Sequence, residues 1–132
     1  MRADRILETC IYVDDLDVAE DFYARVLGLE RITRDPTRHV FFRCGRGMLL
    51  IFNPAETALD GRAPAHGAHG PAHVTFAMAA DAIPAWRNWL AEQRVAIERE
   101  VDWPGGGFSL YFRDPAGNSL ELATPRLWFH DE

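Results

Sequence analysis

One order of elements is written twice along this chain, and that repetition constrains the fold more than any other feature. Arg5 to Val13 (RILETCIYV) is rich in apolar and β-branched residues and predicts a strand. A helix follows from about Asp17, where Asp17 and Glu20 have the spacing of a capping pair. Ala19, Phe22, Tyr23, Val26 and Leu27 recur at helical spacing as its core stripe, and Gly28 stands where a left-handed residue ends a helix. Three short strands come next, at roughly 31–34, 39–44 and 48–52, with a hairpin turn at Gly45-Arg46-Gly47. After residue 71 the order returns. Residues 72–78 predict a strand, Asp81 a helix cap, and Ile83, Trp86, Trp89 and Leu90 a core stripe. Residues 95–101, 109–113 and 119–124 predict three further strands. The expected architecture is α+β, two βαβββ modules at about 5–53 and 72–125 within one domain spanning residues 1–132. Between them lies a linker at 54–71, punctuated by Pro54, Pro64, Pro71, Gly61, Gly67 and Gly70. His66 and His69 in that linker are expected to face solvent rather than to ligate a metal.

The repeat decides which side chains meet. Ser109–Pro125 (SLYFRDPAGNSLELATP) reads as two strands joined by a turn at Asp114-Pro115-Ala116-Gly117-Asn118. A hairpin symmetric about Ala116 puts Tyr111 opposite Glu121, while Leu120 and Leu122 point to the other face. Laying one half over the other sets Glu8 against His73 and Leu50 against Glu121. Three of these four places hold metal-ligand residue types; the fourth is apolar. A carboxylate on the inner face of a curved sheet needs a partner, and a metal ion is a good one; the alternative is a solvated face. Cys10 shares a face with Glu8, and either lines a cleft or is a buried, inert thiol. Trp103 and the three glycines after Pro104 form a flexible loop that either closes over a ligand or is a plain turn.

Composition narrows the classes. Asp plus Glu number 20 against 14 for Lys plus Arg, a net charge of −6 with no basic stripe, which argues against nucleic acid and against an anionic membrane surface. Cys10 and Cys44 have no metal-type spacing, and no secretory signal opens the chain, so both are expected as free thiols in a reducing, cytoplasmic compartment. No apolar run approaches the roughly 20 residues of a membrane span.

Three segments together, YVDDLDVAEDFYARVLGLE from Tyr12, the strand start His73-Val74, and SLYFRDPAGNSLELATP, resemble the vicinal oxygen chelate superfamily over nearly the whole chain. That group includes glyoxalase I, extradiol dioxygenases, fosfomycin-resistance thiol transferases and bleomycin-binding proteins. The resemblance implies that the two curved mixed sheets form a cleft centred on one divalent metal, with ligands at Glu8, His73 and Glu121. The family more often has histidine where this chain has Glu8. Glyoxalase I places a carboxylate where this chain has Leu50, so glyoxalase I activity is disfavoured. The pattern left resembles the three-ligand sites of the thiol transferases and dioxygenases, in which Tyr111 matches a tyrosine ten residues before the last glutamate, the candidate catalytic residue. Ser109 matches a substrate contact of the fosfomycin enzymes, but Val101 stands where they carry a basic residue. Ser109, Cys10 and Trp103 are therefore the candidate substrate contacts. Two carboxylates and one imidazole favour manganese, iron or magnesium over zinc, and three ligands leave positions open for substrate. The expected function is that of a divalent-metal-dependent enzyme on a small oxygen-chelating substrate, of dioxygenase, thiol-transferase or isomerase class. The alternative is a metal-free protein sequestering a small aromatic or antibiotic-like ligand. Relatives that pair the first module of one chain with the second of its twin imply a homodimer.

Overall fold

The computed structural model describes residues 1–131. The chain divides into two compact units, with the boundary between Gly70 and Pro71. The first contains strands β1 (Glu8–Tyr12), β2 (Glu30–Asp35), β3 (His39–Cys44) and β4 (Gly47–Phe52), with helix α1 (Leu16–Arg25) after β1 and the single-turn helix α2 (Pro54–Thr57) after β4. The second contains β5 (His73–Ala77), helix α3 (Ile83–Glu92), β6 (Arg99–Asp102), β7 (Phe108–Arg113) and β8 (Ser119–Ala123). Each sheet is mixed, and the two repeat one order: β1-β4-β3-β2 and β5-β8-β7-β6. The first strand of each runs parallel to the last, and the other pairings are antiparallel. This is the α+β, βαβββ-type layout that the repeat predicts.

The core of each unit is the apolar face of its sheet. In the first, Ile11, Val40, Phe42, Leu49 and Ile51 are buried together with Leu16, Ala19, Phe22 and Tyr23 of α1. Tyr23 is fully enclosed, its ring centroid 6.2 Å from that of Phe42. Burying an aromatic of this size contributes about 2–3 kcal/mol. In the second unit Phe76, Leu110, Phe112, Leu120 and Leu122 take that part, with Leu90 of α3. Alternation along each strand therefore commits the opposite face to whatever polar or aromatic residues remain.

Several local expectations are corrected. Helix α1 is capped by Asp15, whose carboxylate accepts from the Val18 amide at 3.1 Å, and not by Asp17. Leu16 is buried and belongs to the helix, so the cap must precede it; Asp17 instead pairs with Arg34 at 2.7 Å. Asp81 lies in a short 3₁₀ turn (Ala80–Ala82), and α3 starts with no side-chain cap. Pro84 in its first turn removes one of the amides a cap would have satisfied. Trp89 is exposed, because it sits about 100° around the helix from Leu90, the buried residue of α3. Strand β6 spans Arg99–Asp102 instead of 95–101, since the chain first turns off α3 through Arg94 at φ 58°. The connector is not a bare spacer. Asn53 caps α2, Thr57 is buried, and the His66 amide donates to the Thr57 carbonyl at 2.9 Å. Among the described residues no helix is long and apolar enough to cross a membrane.

Candidate functional site

The β7–β8 hairpin builds the polar face of the second unit. Its register pairs Tyr111 with Glu121 and Ser109 with Ala123, which makes it symmetric about Ala116 as the turn chemistry predicts. The turn also reaches across to β5. Buried Asn118 donates through Nδ2 to Asp114 Oδ2 at 2.9 Å and accepts from the Ala72 amide at 2.8 Å. The Ser119 amide donates back to the Ala72 carbonyl at 2.9 Å. One asparagine thus fixes the start of β5 against the start of β8, and the parallel register follows: His73 beside Ser119, Thr75 beside Glu121.

Glu121 is only 4% exposed, yet it is fully provided with donors. Ser109 donates to Oε1 at 2.5 Å and Thr75 donates to Oε2 at 2.7 Å, and the Tyr111 phenol belongs to the residue across from Glu121 in the β7–β8 ladder. Burial pushes the carboxyl up, but the hydrogen bonds from Ser109 and Thr75, the neighbouring Tyr111 phenol and the charge of His73 outweigh it and hold Glu121 below the usual carboxylate range. It is an anion at neutral pH. The Tyr111 phenol is pushed up by burial and by the Glu121 charge, so it keeps its proton for donation.

His73 completes the group. Its Nδ1 lies 2.9 Å from the Ser119 carbonyl, which can only accept, so Nδ1 carries a proton. Nε2 lies 3.2 Å from Glu121 Oε2 and 3.2 Å from Thr75 Oγ1. In a neutral ring, Nε2 presents a lone pair to a carboxylate. That geometry is satisfied by a second ring proton or by a cation. A carbonyl on the far nitrogen is also the arrangement that orients a metal-ligating imidazole. The donor set therefore fits a divalent cation held by His73 Nε2 and Glu121 Oε2.

The sequence pairing of the halves is reproduced in the ladders. Cys10 pairs with Leu50 as Thr75 pairs with Glu121, so Glu8 stands in the first unit where His73 stands in the second. Glu8 is exposed, while Leu50 is buried and offers no donor atom. Within either unit, among the described residues, no three His, Cys, Asp or Glu side chains gather as a ligand group.

Cys10 is exposed and so is not a buried thiol, although its surroundings and the Glu8 charge push its thiol up. Trp103 donates from its indole nitrogen to Ser109 Oγ at 2.9 Å, which links it to Glu121 through one hydroxyl. The glycine loop after it is a hydrogen-bonded turn, with the Gly106 amide on the Trp103 carbonyl and the Trp103 amide on the Gly107 carbonyl. Gly107, at φ 130°, leaves no room for a Cβ, which would meet the Leu127 backbone at 3.0 Å. The loop is thus anchored by packing, against the flexibility its composition suggests. His66 is not free in solvent: its Nδ1 lies 2.7 Å from the Tyr12 hydroxyl and its ring 4.9 Å from that of Phe52. His69 is exposed. Thr75 and the Ser119 carbonyl went unassigned in the sequence. Thr75 could have been found from its place two residues after His73, on the same strand face.

Comparison with known proteins bears on the fold and the family. No curated protein matches the sequence. A crystal structure of a lactoylglutathione lyase from Agrobacterium tumefaciens superposes with a TM-score of 0.93 at 40% identity, over 97% of this chain and 98% of that one. An integron cassette protein from the mobile metagenome of a Halifax Harbour sewage outfall gives 0.75 at 24% identity, over 92% and 99%. A glyoxalase/bleomycin resistance protein/dioxygenase from Nocardioides gives 0.75 at 19%, over 94% and 85%; these last two share the fold. The family model for the Glyoxalase/Bleomycin resistance protein/Dioxygenase superfamily matches residues 5–122. That match takes in both βαβββ repeats but for Ala123, the last residue of β8, and the chain belongs to this superfamily.

Proposed function

We propose that the protein is a divalent-metal-dependent enzyme acting on a small substrate that offers two oxygens to the ion. The observation carrying this reading is His73 Nε2 facing the ionised, buried Glu121 carboxylate at 3.2 Å, with Nδ1 tied to a carbonyl. His73 and Glu121 hold the ion, and Glu8 is the third ligand by its place in the repeat. With two carboxylates and one imidazole the preference is for manganese, magnesium or iron over zinc. Such an ion polarises a substrate oxygen and stabilises negative charge developing there. The Tyr111 phenol, which keeps its proton, would serve as the donor to a substrate oxygen, and Ser109 and Thr75 hold the Glu121 carboxylate in place. The proposed assembly is a homodimer in which Glu8 of one chain serves the His73–Glu121 pair of its twin; gel filtration returning a monomer mass contradicts it.

The likeness to a lactoylglutathione lyase, at 40% identity over nearly the full length, brings that activity forward among the reaction classes. It gives no support to the expectation, drawn from Leu50, that glyoxalase I chemistry is disfavoured. The test is formation or loss of the lactoylglutathione thioester by the purified protein, with manganese added and with metal stripped. Metal-dependent turnover abolished by Tyr111→Phe supports the proposal; turnover unaffected by stripping overturns it. A metal-free ligand-binding protein is the second reading. It is favoured by one observation, that hydroxyl donors alone already satisfy Glu121.

A further inference from the structure

The open face of the second unit carries a groove that the metal reading does not use. Arg99 lies across from Tyr111 and Val101 across from Ser109 in the β6–β7 ladder. Glu98, Arg99, Val101, Trp103, Tyr111 and Arg113 line a cavity of about 380 Å³. Arg113 is already committed: its guanidinium meets Glu98 at 3.2 Å and 3.4 Å and donates to the Gly117 carbonyl at 3.0 Å. Among the described residues no hydrogen bond or ion pair engages the Arg99 side chain. The groove therefore has one uncompensated positive charge, in a chain whose net charge is −6.

The repeat supplies an internal control. Phe41 pairs with Leu50 as Tyr111 pairs with Glu121, and Thr33 pairs with Phe41 as Arg99 pairs with Tyr111. The same strand position in the first unit is thus a threonine. Sheet pairing does not demand an arginine there, and an arginine on a groove wall calls for another explanation. A guanidinium presents a planar fork of donors that matches a carboxylate. The phenol of Tyr111 and the indole of Trp103 supply flat apolar walls beside it.

We propose that this groove binds the carboxylate-bearing, planar end of the substrate, with Arg99 as its anchor. The proposal rests on the reading of Glu121 as the reacting centre: Tyr111 lines the groove, lies between Arg99 and Glu121 in the strand pairing, and has its ring 6.2 Å from that of His73, so a ligand seated on Arg99 has its other end at the His73–Glu121 pair. Arg99 sets which small molecule is admitted, and the ion sets what is done to it.

The test is titration of metal-stripped full-length protein with benzoate and with benzamide, which share a shape and differ in charge. Calorimetry gives the affinities, and the Trp103 indole N–H resonance reports where the ligand sits. Benzoate is expected to bind at least about tenfold more tightly than benzamide and to shift that resonance. Arg99→Thr, which installs the residue of the first unit, is expected to remove the difference while leaving benzamide unchanged. Equal affinities in the unmodified protein, no binding of either compound, or benzoate selectivity surviving in Arg99→Thr each overturn the proposal. Because no metal is present, these outcomes are independent of whether His73 and Glu121 hold an ion.

Discussion

Ser109→Ala is the substitution whose consequences the site geometry specifies most fully. The hydroxyl is fully buried, donates to Glu121 Oε1 at 2.5 Å and accepts from the Trp103 indole at 2.9 Å. Losing a hydrogen bond to a buried anion costs about 1.5–3 kcal/mol, and leaving an indole N–H without its acceptor about 1 kcal/mol more. The expected destabilisation at pH 7 is therefore about 3 kcal/mol, read as a shift of the urea midpoint at unchanged slope. The effect should narrow steadily in acid. Glu121 is held below the usual carboxylate range, so its contribution is present at neutral pH and is lost as pH falls through its folded value. Ser109 is the foremost of the donors that lower it, so in the alanine variant the carboxyl titrates at a higher pH, less stability is lost to acid than in the parent, and the gap between the two closes as pH falls. The double variant with Glu121→Gln isolates the pair: the two losses should be strongly non-additive. An alanine variant within about 0.5 kcal/mol of the parent, the size of an ordinary surface substitution, with an unchanged Glu121 carboxyl titration by NMR, refutes the reasoning.

Other predictions follow from the same structure. Asp15→Ala should cost about 1 kcal/mol through loss of the α1 cap, whereas Asp17→Ala, removing only an exposed pair with Arg34, should cost less than about 0.5 kcal/mol; thermal melts of the two variants side by side decide it. Asp35 is held low chiefly by the Thr37 and Arg38 amides, so its stabilisation is present at neutral pH and lost in strong acid. Asp35→Asn should accordingly be less stable than the parent at pH 7, with the gap in urea midpoints closing as Asp35 itself protonates.

The parts of the fold that were legible in the sequence are those carried by periodicity. Alternation in residues 109–113 and 119–124, with a turn centred on Ala116, gave the pairing of Tyr111 with Glu121, because side-chain direction and register are the same information in a hairpin. The duplicated order gave the equivalence of Leu50 with Glu121 and of Glu8 with His73. What escaped notice has no periodic signal. Asp15 and Asp17 are chemically alike as caps, and only the burial of Leu16 separates them. The bond from Tyr12 to His66 spans 54 positions of sequence and depends on how the connector folds back. Asn118 reads as a turn former, but its side chain also fixes β5, a contact 46 residues away that no local rule announces.

The central claim is that His73 and Glu121 are ligands of a divalent ion, and manganese titration with metal analysis of the dialysed protein addresses it without reference to any substrate. The unmodified chain should retain a single ion, and His73→Ala and Glu121→Ala, each verified as folded by circular dichroism, should retain none. A metal-to-protein ratio that is the same in all three contradicts the account.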